Sequence, residues 1–115
     1  MNIEEIRAYC LKKNHVTESF PFDKTTLVFK VHNKMYALID IEDKQYINLK
    51  CDPDRAIQLR EEFTEITPGY HMNKRLWNSV SITGLLNNKL IMELIDDSYE
   101  LIFASLPRKL RDLQL

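Results

Sequence analysis

The sequence predicts an α+β fold, a mainly antiparallel sheet with helices packed on one side. Three observations carry this expectation. Apolar and polar residues alternate on either side of a two-residue turn at Asn33-Lys34, the pattern of a β-hairpin. Apolar residues recur at the helical period near both ends of the chain, at Ile3, Ile6 and Cys10 and again from Leu90 to Ile102. The elements then follow in the order helix, three strands, helix, strand, helices.

The first helix is expected from about Ile3 to Lys13. Asn2 caps it, Glu5 completes a capping box, and Lys12 and Lys13 complement the negative end of the helix dipole. Ser19-Phe20-Pro21-Phe22-Asp23 is extended, because Pro21 pushes the residue before it away from helical angles. In the hairpin, Leu27, Phe29 and Val31 alternate with Val28, Lys30 and His32, and Met35 to Ile41 runs back. A turn at Asn33-Lys34 pairs His32 with Met35, Lys30 with Ala37 and Val28 with Ile39. On the other, core-facing side it pairs Val31 with Tyr36 and Phe29 with Leu38. Lys30 and His32 share the more exposed face. After a turn at Glu42-Asp43-Lys44, a third strand covers Gln45 to Leu49.

Asp52 caps the next helix and Pro53 occupies its first position, where a missing N–H costs nothing. Ala56, Leu59 and Phe63 form its apolar stripe, and Arg55, Arg60, Glu61 and Glu62 its solvated side. Thr67-Pro68-Gly69 ends it in a turn. The strand Leu76 to Thr83 puts Leu76, Asn78, Val80 and Ile82 on one face and Trp77, Ser79, Ser81 and Thr83 on the other. Trp77 thus stands on the mainly polar side. Gly84 breaks the strand. Asn87 or Asn88 caps a long helix with Leu90, Ile91, Leu94, Ile95, Leu101 and Ile102 inward and Glu93, Asp96, Asp97 and Glu100 opposite. Pro107 ends it, and Arg108 to Leu113 forms a short last helix.

A chain of 115 residues suits a single domain, residues 1–115, with a core that needs no staples. Its 44% hydrophobic and 29% charged residues are the balance of a soluble globular protein, and two Gly and four Pro argue against disorder. No apolar run reaches the roughly 18 residues of a membrane span, and Met1-Asn2-Ile3-Glu4-Glu5 lacks a signal-peptide pattern. The expected location is the cytoplasm, with no membrane partner. Cys10 and Cys51 form no ligand-spaced motif and read as free, buried thiols.

A net charge of −1 leaves no global attraction to phosphate, so any nucleic-acid binding must come from a local patch. Such a patch is present. Between Glu65 and Glu93 there is no acid, where 17 acids spread evenly over 115 residues would place about four. That interval holds Pro68-Gly69-Tyr70-His71-Met72-Asn73-Lys74-Arg75, followed by the chain's only Trp in Trp77-Asn78.

Phe20-Pro21-Phe22, Phe29-Lys30-Val31, Lys34-Met35-Tyr36-Ala37 and Asn48-Leu49-Lys50-Cys51-Asp52-Pro53, with that block and with Ser98-Tyr99 and Leu106-Pro107, resemble the MmcQ/YjbR family of small bacterial proteins. The likeness covers nearly the whole chain in order. It departs at Asn33, where the family commonly has Gly; Asn tolerates left-handed angles, so the turn survives. The resemblance implies an α+β fold likened to frataxin-type proteins and to secretion chaperones. It also implies DNA binding through a double-wing motif.

The candidate nucleic-acid-binding residues are Lys30, Lys50, Tyr70, His71, Asn73, Lys74, Arg75, Trp77 and Asn78. Lys and Arg contact phosphates, Asn73 and Asn78 donate hydrogen bonds, and a half-exposed Trp77 or Tyr70 stacks on a base or sugar. Few contacts imply weak, largely non-specific binding. The competing expectation is a protein-interaction module that uses Trp77, Tyr70 and Met72 to bind a partner or a second copy of itself. Cys51 and His71 offer a thiol and a base but lie in no nucleophile motif, so no enzyme and no cofactor are expected. His15, His32 and His71 lack zinc spacing, Asp96, Asp97 and Glu100 read as a wet helix face, and no metal is expected; the frataxin comparison is one of fold and transfers no iron site.

Overall fold

The computed structural model describes residues 1–113. The described elements are α1 (Ile3–Leu11), β1 (Val16–Ser19), β2 (Thr26–Val31), β3 (Lys34–Asp40), β4 (Tyr46–Lys50), α2 (Pro53–Glu62), β5 (Ile66–Pro68), β6 (Trp77–Ser81), α3 (Asn88–Ala104) and α4 (Arg108–Arg111). The strands form one antiparallel sheet in the order β1-β2-β3-β4-β6-β5. This is the expected α+β architecture.

The helix starts follow local hydrogen bonding. Asn2 Oδ1 accepts from Glu5 N at 2.8 Å while Glu5 Oε1 accepts from Asn2 N at 3.1 Å, a complete capping box. Asp52 caps α2 ahead of Pro53, and Asn87, rather than Asn88, caps α3. The first helix stops at Leu11, short of the expected Lys13. Lys13 instead bonds Asp96 of α3 at 2.6 Å.

Two strands escaped the sequence reading. β1 is a four-residue edge strand with no apolar alternation to announce it. Thr67-Pro68, expected as part of a turn, belongs to β5 at the opposite edge, where a proline costs the ladder nothing.

The hairpin register also differs from expectation. Its turn is His32-Asn33, both at positive φ (45° and 68°), the requirement of a type I′ turn. Val31 therefore pairs with Lys34 and Lys30 with Met35. The register then slips, so that Phe29 faces Ala37 and Val28 faces Leu38, leaving Tyr36 as the extra residue of a β-bulge. The bulge turns Tyr36 toward the helices, where its hydroxyl donates to Cys10 O at 2.7 Å. Leu38 consequently lies opposite the side expected for it.

Two apolar clusters result. The larger joins the inner faces of the helices to Leu27, Phe29, Val31, Tyr36, Ile39 and Leu49 of the sheet. The smaller lies on the other face and holds Val28, Leu38 and Trp77, with Met35, Met72 and Leu76 packed against them. Among the described residues none in a helix belongs to it, so the sheet has one helix-covered face and one free face.

A basic loop folded over the free face of the sheet

Alternation and register decide which candidate residues share the free face. Lys30 lies between Phe29 and Val31, which point to the helices, and Lys50 lies between Leu49 and Cys51, which do the same. Both lysines therefore point the other way. Lys30 pairs with Met35 on β3, and Lys50 pairs with Trp77 on β6. Lys30 on β2 and Lys50 on β4 thus form a loose basic row on one face, two strands and so at least about 10 Å apart.

Residues 69–76 connect β5 to β6 and fold back over this face. Gly69 N donates to Trp77 O at 2.8 Å, Lys74 Nζ donates to Gly69 O at 3.2 Å, and Trp77 N donates to Asn73 O at 2.9 Å. Asn73 Oδ1 accepts from Arg75 N at 3.0 Å, so Asn73 shapes the loop rather than only facing solvent. Tyr70 N donates to Ser79 Oγ at 3.1 Å, and Ser79 Oγ donates to Asn48 Oδ1 at 2.6 Å. The sequence reading missed this Asn48–Ser79–Tyr70 chain. Its one legible trace was the polar alternation of the two strands.

Two of the candidate residues leave the contact surface. Trp77 is on the predicted face, but with Met72 and Leu76 packed against it only 8% is exposed, against the half-exposed ring expected. Asn78 is 2% exposed and faces the helices, its Nδ2 at 3.5 Å from Ala56 O and its Oδ1 buried without a partner. It cannot reach a phosphate across the sheet. The exposed aromatic group is instead Tyr70, 71% accessible, its ring tilted at 47° against His71 with 4.0 Å between centroids.

Few of the cations are engaged by acids. Among the described residues the ion pairs are Arg7–Glu18, Lys13–Asp96, Arg55 with Glu93 and Asp97, and Arg108–Asp112. None involves Lys30, Lys50, Lys74 or Arg75. Arg60 on α2 and Lys89 on α3 also lie outside these pairs; what distinguishes the four is that they gather on one face and its loop.

The alternative chemistries find little here. Burial pushes the Cys51 thiol above its ordinary range, which lowers the thiolate fraction a nucleophile needs. Among the described residues no three His, Cys, Asp or Glu side chains come together to hold a metal. No described helix is long and apolar enough to cross a membrane.

The YjbR family model matches residues 11–101, which span the sheet, the basic loop and most of α3. The chain belongs to the YjbR family. Among its YjbR relatives, the uncharacterized protein YjbR of Escherichia coli is 31% identical over 114 residues, covering 98% of this chain and 97% of its own. YbdF of Escherichia coli is 32% identical over 107 residues, covering 92% and 88%. Among solved structures, a Deinococcus radiodurans protein superposes with a TM-score of 0.90 at 38% identity, covering 96% of this chain and 85% of its own. A Pseudomonas syringae protein superposes at 0.76 with 34% identity, covering 88% and 98%. The YjbR fold therefore recurs in experimental structures over nearly all of this chain.

Proposed function

We propose that this YjbR protein is a cytoplasmic, non-enzymatic protein that binds DNA weakly and with little sequence preference through the free face of its sheet. The observation that carries the reading is the set of four cations, Lys30, Lys50, Lys74 and Arg75, that lie on or beside this face outside every ion pair described above. Such donors gain phosphate contacts without first breaking a carboxylate contact. About four contacts imply a log–log salt slope near −3 to −4 and micromolar or weaker affinity. Tyr70 and His71, rather than Trp77, supply the stacking surface.

The test is fluorescence anisotropy with labelled DNA over a range of salt from about 50 to 200 mM. Binding is expected to fall steeply across that range. Reversing the loop charge with Lys74→Glu and Arg75→Glu is expected to abolish it while leaving the far-UV circular dichroism spectrum unchanged. Both residues are exposed, and the one bond lost, from Lys74 Nζ to Gly69 O, lies within the loop and outside the sheet and helices. An absence of binding at the lowest salt, or an unchanged affinity after charge reversal, overturns the proposal. A salt-insensitive complex with a protein would favour an interaction module instead.

A further inference from the structure

We infer that the polynucleotide taken by this face is single-stranded, with one base stacked on Tyr70 and His71 and the adjoining phosphates on Lys50 and the Lys74-Arg75 pair. The inference rests on the DNA-binding reading above and narrows its ligand. Three features of the free face support it.

First, the face offers nothing suited to the major groove. Helices α1, α2 and α3 pack on the opposite side, and α4 has four residues. A two-stranded ribbon could enter the groove instead, but the β2–β3 tip is fastened down. His32 stacks on His15 at 4.4 Å, and Lys34 Nζ donates to Ser105 Oγ at 2.6 Å. The tip is thus bracketed by the α1–β1 connection and the end of α3.

Second, the exposed aromatic pair sits on an anchored backbone. The Tyr70 amide is held by Ser79, which is held in turn by Asn48, while the ring itself is free. An unstacked base gains from a ring presented this way. Bases inside a duplex are already stacked and would have to be extruded at a cost.

Third, the cations follow a line rather than two rails. Lys30 on β2 and Lys50 on β4 face the same way, and the loop carrying Lys74 and Arg75 leads into β6 at Trp77, the residue paired with Lys50. At the far end of β3 stands an acid, Asp40, paired with Thr26, its carboxylate accepting from the amides of Glu42 and Asp43.

The experiment compares labelled oligo(dT), oligo(U) and a mixed-sequence duplex, each of about 20 nucleotides or pairs so that one or more sites fit. The expected result is that a single strand binds about tenfold more tightly than the duplex, and that Tyr70→Ala weakens single-strand binding more than duplex binding, narrowing this margin. Tight binding of oligo(dT) supports the inference, whereas tight binding of oligo(U) with none of either DNA overturns it together with the DNA-binding reading. Equal or tighter binding of the duplex, or an equal loss in every arm from Tyr70→Ala, overturns it and leaves the DNA-binding reading standing. No binding in any arm overturns both.

Discussion

A Cβ at Gly69 would stand 2.8 Å from the Cβ of Trp77, 3.0 Å from Trp77 O and 3.1 Å from the Cβ of Met72. The basic loop can lie against the sheet only because this position has no side chain. Gly69→Ala is expected to cost about 1–3 kcal/mol in urea denaturation, as overpacking does where the neighbour is backbone and cannot rotate away. Glycine at this position was visible in the sequence as a turn signal, but its purpose was not. The clash is with a residue eight positions later, and only the folded loop brings the two together. The same holds for Trp77. Its face followed from alternation, whereas its burial depends on where Met72 comes to rest. The caps at Asn2, Asp52 and Asn87 were readable because each is satisfied within a few residues.

At the level of elements, the bulge at Tyr36 leaves a carbonyl without its regular ladder partner, and a helix supplies one. Ser98 Oγ on α3 donates to Tyr36 O at 2.6 Å and accepts from Lys50 N at 2.9 Å. A single buried hydroxyl thereby ties α3 to two strands and sets the position of Lys50 in the basic row. Ser98→Ala would leave a buried acceptor and a partly buried donor unpaired. It is expected to destabilise the fold by about 3 kcal/mol, read as a lower urea midpoint with an unchanged slope. This bond explains why the hairpin register was misjudged. Local turn chemistry permits either His32-Asn33 or Asn33-Lys34, and the choice is coupled to a serine 62 residues beyond Tyr36. Edge strands β1 and β5 were missed for a related reason. Each is held by one neighbour in the sheet and carries no periodic pattern of its own.

Across the whole molecule, the seam between α1, the sheet and α3 is where protons are held most tightly. Asp96 accepts from the Tyr9 hydroxyl and raises the Tyr9 pKa from 10.0 to about 12. Burial raises the Cys10 thiol from 9.0 to about 12 and also pushes Tyr36 and Tyr99 upward. These groups lose protons more readily unfolded than folded, so their contribution is complete below their unfolded pKa values and disappears as pH rises through the folded ones. The urea midpoint is therefore expected to stay level up to about pH 9 and to fall progressively toward pH 12. Tyr9→Phe should start lower at neutral pH, having lost the bond to Asp96, and then decline less steeply. The free face carries none of these groups, so alkaline loss of the fold should begin on the side away from the basic row. The lone indole on that face has a separate consequence. With Met72 resting on it, its emission colour reports whether the loop is seated, and lifting the loop would redden that light before the helices let go.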